Sequence, residues 1–142
     1  MYRKLLSVFV MFIMLTSVSV GSLPLAFAAA PNSPTELFEN GPPTTNTIPL
    51  KWKAPAGGDA PTGYTIEGAL ENPETMEFGS FTVLVADTGN VTTHTITGLN
   101  PGDFYELRIS AFNEDGASSP SMTFMQGTAF EEGHDFSEKE QD

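Results

Sequence analysis

The sequence predicts an all-β fold in which two antiparallel sheets pack as a sandwich. Three observations favour this fold class. Strand-like segments recur at spacings of about 8 to 12 residues, as in known sandwiches. Pro and Gly, which favour turns, separate these segments, and no segment has the periodicity of an amphipathic helix.

The first 28 residues have the three parts of a secretory signal. Arg3 and Lys4 form a basic start, an apolar run follows from Leu5 to Val20, and the sequence Ala-Phe-Ala ends at Ala28. Spanning a bilayer needs roughly 20 apolar residues. We therefore expect cleavage after Ala28 and a secreted, extracellular chain that is not inserted in a membrane but can associate with the cell envelope. The alternative is an uncleaved N-terminal anchor.

The next segments predict a linker and the first two strands. Residues 29–33 are rich in proline and small residues, which indicates a short extended linker before a domain over 34–129. Pro34 and Leu37 open the first strand. In the second strand apolar and polar residues alternate, so one face lies in the core. Its apolar residues are Ile48, Leu50 and Trp52, and they alternate with Pro49, Lys51 and Lys53.

Three more strands are predicted in the middle of the domain. A loop over 54–63 precedes the third strand, which contains Tyr64 and Ile66. A second loop over 70–80 leads to the fourth, with Phe81, Val83 and Val85. A turn over 88–90 precedes the fifth, over 92–97, where His94 is in phase with Ile96. We expect His94 to be partly buried rather than to bind a metal.

The run from Leu99 to Asn113 is the most informative part of the sequence. Pro101 and Gly102 predict a turn, and Tyr105 lies at the start of the strand that follows. Leu107, Ile109 and Ala111 share the face of Tyr105, because side chains alternate along a strand. This combination resembles the tyrosine corner of a fibronectin type III domain. Residues 121–127 form the seventh predicted strand.

The resemblance to the fibronectin type III family covers residues 34 to about 129. It implies an immunoglobulin-like, seven-stranded antiparallel β-sandwich, with strands one, two and five in one sheet and the other four in the second. It also implies that Trp52 and Tyr64 belong to the core and that the Tyr105 hydroxyl bonds to backbone near the corner. Gly68 departs from the family pattern and predicts a thinner or bulged edge. The matching positions are Trp52, Tyr64, Leu99, Pro101, Gly102 and Tyr105, with Arg108, Ala111, Asn113, Gly116, Ser118 and Pro120 in the last hairpin.

The charge balance restricts the partners. The formal net charge is -12, and it becomes -14 without the leader, because 4 basic residues then stand against 18 acidic ones. Such a chain repels nucleic acid phosphates and anionic lipid. Residues 130–142 hold much of this charge and predict an acidic disordered tail. With no cysteine, the domain has neither disulfides nor cysteine-based zinc or thiolate chemistry.

Motifs for catalysis and for cofactors are absent from the sequence. It contains no Gly-x-Ser-x-Gly, no His-Glu-x-x-His and no phosphate-binding loop. Calcium loops space their carboxylates as in Asp-x-Asp-x-Asp-Gly, and this motif does not occur in the sequence. We therefore predict that the chain is not an enzyme, binds no cofactor and has no dedicated metal site.

Two segments are candidate functional sites. Asn113, Glu114, Asp115 and Gly116 form a tight turn whose two carboxylates suit a basic partner, although an acidic turn can also be merely solvated. The Arg-Gly-Asp triplet with which some family members bind receptors in this loop is absent. Asn90 begins an Asn-x-Thr sequence in a turn and is a candidate glycosylation site.

The leading hypothesis is a secreted, non-enzymatic module for protein binding or adhesion at the cell surface or envelope. Its binding surface would be loop tips or the edge strand over 81–87, the latter by strand addition. A passive spacer or surface-layer component is the second hypothesis. A third is an accessory domain that binds polysaccharide by stacking aromatic rings on sugars. The candidate rings are Phe78, Phe112 and Phe124.

Overall fold

Residues 29–133, the part of the chain described by a computed structural model, form an all-β structure of two antiparallel sheets. This confirms the predicted fold class. The predicted leader with its cleavage after Ala28, and residues 134–142 of the predicted tail, lie outside the described residues. The strands are β1 (Thr35–Glu39), β2 (Ile48–Lys53), β3 (Gly63–Asn72), β4 (Glu77–Phe78), β5 (Thr82–Val85), β6 (Thr93–Ile96), β7 (Phe104–Asn113), β8 (Gly116–Ala117) and β9 (Phe124–Gly127).

The smaller sheet has the order β1-β2-β6, so it holds the first, second and fifth predicted strands. Its pairing is regular between β2 and β6, where Leu50 lies opposite His94. The register of β1 against β2 shifts between Thr35 and Phe38. Glu36, inside this bulge, has a φ of 54° and forms an exposed ion pair with Lys53 at 2.7 Å.

The larger sheet is built around the long pair β3 and β7. They run antiparallel from Gly63 opposite Phe112 to Leu70 opposite Tyr105. Strands β4 and β5 both pair with β3, and strands β8 and β9 both pair with β7. The paired strands β3 and β7 therefore form the centre of the larger sheet and extend to both ends of the sandwich.

Two predicted boundaries in this sheet were wrong. Part of the loop predicted over 70–80 is regular structure, because β3 continues to Asn72 and turns back into β4. The strand predicted over 121–127 begins only at Phe124, and its edge is shared with the separate short strand β8. Both pairings depend on a partner strand, which local sequence patterns do not report.

A bulge lies beside Gly68, whose departure from the family pattern predicted a thinner or bulged edge. The register between β3 and β5 shifts between Ile66 and Glu67, which leaves Leu84 as an extra residue in β5. A methyl group added at Gly68 would come within 2.5 Å of Leu84 Cδ1. Gly68 therefore makes room for the Leu84 side chain over the middle of β3.

The core lies between the two sheets and follows the predicted alternation. Every second residue is buried in β2 and in β7 from Tyr105 to Ala111. The residues between them are partly or fully exposed. The larger members pack in one continuous cluster. They are Leu37, Ile48, Leu50, Trp52, Tyr64, Ile66, Ile96, Tyr105, Leu107, Ile109 and Ala111.

Candidate functional site

The loop over 54–62 and the turn over 113–116 meet at one end of the sandwich, which we call the loop end. They meet because β3 begins where β7 finishes, with Gly63 opposite Phe112. Thr62 strengthens this junction: its backbone nitrogen donates to the Phe112 carbonyl at 2.8 Å, and its hydroxyl donates to the same oxygen at 3.2 Å. Pairing in the sheet thus brings together two segments that lie about fifty residues apart in the chain.

The candidate binding turn is a two-residue hairpin loop. Asn113 pairs with Gly116, so Glu114 and Asp115 form its tip, and both are exposed. The Asn113 side-chain oxygen accepts a hydrogen bond from the Asp115 backbone nitrogen at 2.9 Å. Gly116, with a φ of 140°, closes the hairpin in a conformation that other residues rarely adopt. The backbone of the turn is therefore well defined, and its two carboxylates point into solvent.

A shallow depression of about 600 Å³ separates the two segments of the loop end. Its charged lining residues, Asp59, Glu114 and Asp115, are all acidic. The sequence alone did not group Asp59 with Glu114 and Asp115, because Asp59 lies in a different loop. The uncharged lining residues are Ala60, Thr62, Phe112 and Asn113. This arrangement favours a cationic ligand surface over an anionic one.

Residues 29–33, the predicted linker, contact the loop end. Pro31 is buried and forms an isolated bridge with Gly58. Farther along, the Asn32 side chain donates to the Ala56 carbonyl at 3.2 Å, and the Ser33 hydroxyl donates to the Ser119 carbonyl at 2.8 Å. These contacts join the segment to the loop over 54–62 and to the chain that follows β8.

The opposite end contains the predicted corner, and we call residues 99–105 with 128–130 the corner end. Tyr105 is 7% exposed, and its hydroxyl donates to Asp103 Oδ2 at 3.1 Å. The acceptor is thus a side-chain carboxylate and not a backbone atom, contrary to the prediction. Asp103 lies two residues before Tyr105, and side chains two residues apart in extended backbone face the same side, so its carboxylate lies within reach of the hydroxyl. Burial, followed by the hydrogen bond and the charge of Asp103, raises the pKa of Tyr105 to about 12.

Comparison with known proteins supports the β-sandwich fold and its predicted family. The family model described as fibronectin type III domain matches residues 32–124. This chain belongs to the fibronectin type III family. Domains of this family typically bind proteins or act as structural modules, and they are generally not catalytic.

Solved fibronectin type III structures resemble the chain closely in fold. The twitchin kinase region of C. elegans is 29% identical with a TM-score of 0.61, over 75% of this chain and 18% of that one. The fourth FNIII domain of a human protein is 22% identical with a TM-score of 0.60, covering 83% and 98%. The FN5 domain of Drosophila Lar is 20% identical with a TM-score of 0.54, covering 70% and 97%. The matched part of the chain thus spans about a fifth of the twitchin kinase region and nearly the whole of the other two domains.

Trp52 and Tyr64 form the aromatic centre of this fibronectin type III domain. Their ring centroids lie 5.3 Å apart in an edge-to-face arrangement, and both side chains are buried. The Trp52 indole nitrogen and the Tyr64 hydroxyl are buried, and neither meets the distance and angle limits of a hydrogen bond with any group in residues 29–133. Burial raises the pKa of Tyr64, and the neighbouring indole partly offsets this. Both residues lie in the core and not on a binding surface.

The remaining candidate residues of the domain are dispersed. Asn90 is exposed in the turn between β5 and β6, where an oligosaccharide would have room, and its glycosylation stays a prediction. His94 is partly buried on β6. Within residues 29–133, no three His, Asp or Glu side chains are grouped to hold a metal ion, and no helix is long and apolar enough to cross a membrane.

The three phenylalanines considered for sugar stacking do not form one surface. Phe78 lies beside Phe104 at the start of β7, with ring centroids 6.2 Å apart, whereas Phe112 lies near the other end of that strand. Phe124 packs against the core and contacts Phe38 edge-to-face at 6.1 Å. Sugar-binding platforms need coplanar, exposed rings, so this distribution does not favour the polysaccharide hypothesis.

Proposed function

We propose that this chain is a secreted, non-enzymatic fibronectin type III module that binds a protein with a basic surface at the cell surface or envelope. The observation that carries the proposal is the loop end. Two separate loops meet there and present Asp59, Glu114 and Asp115 around one depression. A site of this kind suits a partner whose Lys and Arg side chains project from a convex surface.

Charge and shape both support the loop end as the binding surface. The two carboxylates at the tip are exposed, while the backbone beneath them is held by Asn113. A fixed backbone loses little conformational entropy when it binds, so a few exposed side chains can act as the contact residues. The net charge of -14 expected after loss of the leader adds a long-range attraction for basic proteins and repels nucleic acids.

The non-enzymatic part of the proposal rests on the family and on the site itself. Fibronectin type III domains are generally not catalytic. The acidic groups of the loop end are exposed, whereas general acids and bases are usually held in clefts that exclude water. The proposal therefore assigns these carboxylates to recognition and not to proton transfer.

The test is crosslinking of the whole chain in its own host, followed by identification of the captured protein. We expect one dominant partner from the envelope or culture fluid. The double variant Glu114→Gln with Asp115→Asn should reduce its capture at least about tenfold, because removing charged groups from an interface costs well over 1 kcal/mol when they face a cation. Capture should also weaken with increasing salt.

The matched control removes the same amount of charge elsewhere. Glu131 and Glu132 are also exposed and adjacent, and they follow the corner end. Glu131→Gln with Glu132→Gln should leave capture unchanged. Equal loss in both double variants would indicate attraction by net charge alone, and the absence of any captured partner would support the spacer hypothesis.

Strand addition to β5 is a second candidate mode of binding. Strand β5 pairs with β3 on one side, and Val83 at its centre is 57% exposed. An apolar side chain on such an edge favours pairing with a partner strand. Val83→Lys should then abolish capture while the Glu114→Gln, Asp115→Asn variant binds normally; the opposite result assigns binding to the loop end.

A further inference from the structure

Both backbone polar groups of Ala29 are held by the loop end. The Ala29 nitrogen donates to Asp59 Oδ2 at 2.6 Å. The Asn113 side-chain nitrogen donates to the Ala29 carbonyl at 2.9 Å, across 84 residues of chain. Ala29 is therefore fastened to the loop over 54–62 and to the turn over 113–116 at the same time.

The residues after Ala29 bring the chain into this position. Pro31 bridges to Gly58, and a methyl group at Gly58 would come within 2.8 Å of the Asn32 nitrogen. The two backbones can approach so closely because Gly58, with a φ of 76°, has no side chain. The loop over 54–62 is thus shaped to receive the segment that begins at Ala29.

We propose that Ala29 becomes the N-terminal residue and that its ammonium group forms an ion pair with Asp59. This inference rests on the proposed secretion, because it requires cleavage after Ala28. Hydrolysis of the Ala28–Ala29 peptide bond by a signal peptidase consumes one water molecule. The carboxylate leaves with Ala28, and the amine of Ala29 takes up a proton.

Processing changes the chemistry of this contact. Before cleavage the Ala29 nitrogen is a neutral amide that can donate one hydrogen bond to Asp59. After cleavage it is a cation with three donors, so the hydrogen bond to the Asp59 carboxylate gains the attraction between two opposite charges. The other charged groups that line the neighbouring depression, Glu114 and Asp115, are acidic and add to the attraction.

The ion pair has a consequence for partner binding. It neutralises Asp59, so that Glu114 and Asp115 are the two carboxylates left for a basic partner. It also fastens the loop over 54–62 to the start of the chain and to Asn113. Removal of the leader would therefore strengthen a contact that the Ala29 amide already makes with the loop end.

The first part of the test identifies the new N-terminus. The whole chain is expressed in a secretory host, and the exported protein is sequenced from its N-terminus and weighed intact. We expect it to begin at Ala29. Export with a different first residue would overturn the ion pair while leaving secretion intact, and a chain retained with its leader would overturn the proposed secretion as well.

The second part measures how readily the Ala29 amine is acylated between about pH 6 and pH 10, with the label located by mass spectrometry. In an ion pair the ammonium form is favoured, so the apparent pKa should lie above the usual α-amino value of about 7.7–8.0. Asp59→Asn should lower that pKa and speed acylation near neutral pH about two- to fivefold, as expected for an exposed pair.

The matched control is Asp115→Asn, which removes a carboxylate from the same depression but not the one that accepts from Ala29. It should change the acylation rate much less than Asp59→Asn. An equal effect of the two variants would mean that the amine senses only the general field, and no effect of Asp59→Asn would mean that the amine is free. Either result overturns the ion pair. Asp59 is exposed, so the variant should fold normally.

Discussion

The corner end and the loop end are supported by the same two strands but are held in different ways. At the corner end the Thr128 hydroxyl donates to the Asn100 carbonyl at 2.7 Å, and the Thr128 nitrogen donates to the Asp103 carbonyl at 2.9 Å. Tyr105 adds a buried ring and a hydrogen bond to Asp103. At the loop end the tip residues Glu114 and Asp115 are exposed, and their own side chains support nothing beneath them.

The difference separates the residues that stabilise the fold from those that we propose for recognition. Polar groups that are partly buried and bond to one another cost about 1–3 kcal/mol when one partner is lost, so the corner end tolerates less change. Exposed carboxylates on a fixed hairpin can be exchanged almost freely. A scaffold built in this way can vary the proposed binding residues with little risk to its fold.

The largest expected effect is at the corner end. Tyr105→Ala removes a buried aromatic ring together with its hydrogen bond, and should lower the free energy of unfolding by about 3–5 kcal/mol. Urea denaturation followed by Trp52 fluorescence measures this loss. A loss below about 1 kcal/mol would contradict the contrast between the two ends.

Tyr105→Phe keeps the ring and removes only the hydroxyl, so it measures the contribution of the hydroxyl alone. We expect it to lower the free energy of unfolding by about 1–2 kcal/mol, because the hydroxyl bonds to a charged acceptor. Asp103 keeps a second donor, the Asn100 side chain at 3.0 Å, which limits the loss. The double variant Tyr105→Phe with Asp103→Asn is the control: if the hydroxyl acts through Asp103, the two losses should not add.

Alkaline pH tests the same hydroxyl without a change of shape. The pKa of Tyr105 is about 12 in the folded protein against an ordinary 10.0. The folded state therefore holds this proton more tightly than the unfolded state, and the resulting stability is complete below pH 10 and is lost as the pH rises towards 12. Urea denaturation across this range should show a steeper decline for the wild type than for Tyr105→Phe. Parallel declines of the wild type and of Tyr105→Phe would mean that folding does not raise the pKa of Tyr105.

Asn113→Ala examines the support beneath the binding turn. It removes the acceptor for the Asp115 nitrogen and the donor to the Ala29 carbonyl, and should lower the free energy of unfolding by about 0.5–1.5 kcal/mol. Asn113→Asp keeps the acceptor and loses the donor, so its loss should be smaller. If the two variants are equally destabilised, the turn does not depend on the bond to Asp115.

The smallest effect on stability is expected at the tip of the turn. Glu114→Gln with Asp115→Asn should change the free energy of unfolding by less than about 0.5 kcal/mol, because both side chains are exposed. Thermal unfolding of this variant beside the wild type measures the change. A large loss would assign the two carboxylates to folding and would weaken their assignment to recognition.

Short-range patterns made most of the fold predictable. The alternation of Ile48, Leu50 and Trp52 in β2 depends only on the two-residue period of a strand. The turn at Pro101 and Gly102 depends on backbone preferences of those residues, and Gly102 indeed has a φ of 76°. The order of the strands within the sheets came from the family resemblance and not from these patterns.

The candidate site was predictable only in part. The turn from Asn113 to Gly116 has a local signature, because Asn is common at the first position of a four-residue turn and Gly at the fourth. The segments that lie beside this turn in the folded structure have no such signature. Nothing near Asp59 in the sequence indicates that it lines the same depression as Glu114, and nothing near Ala29 indicates its bond to Asn113.

From local patterns the sequence predicted the all-β class, the inward faces of β2 and β7 and the position of the corner, because these follow from the chemistry of adjacent residues. The face of β5 was not predicted in this way, since the bulge at Leu84 leaves Val83 57% exposed. Three features became known only from the folded structure: the acceptor of the Tyr105 hydroxyl, the pairing of β4 with β3, and the meeting of distant segments at the loop end. The segments of the loop end lie far apart in the chain, so their contacts exist only after β3 and β7 have paired.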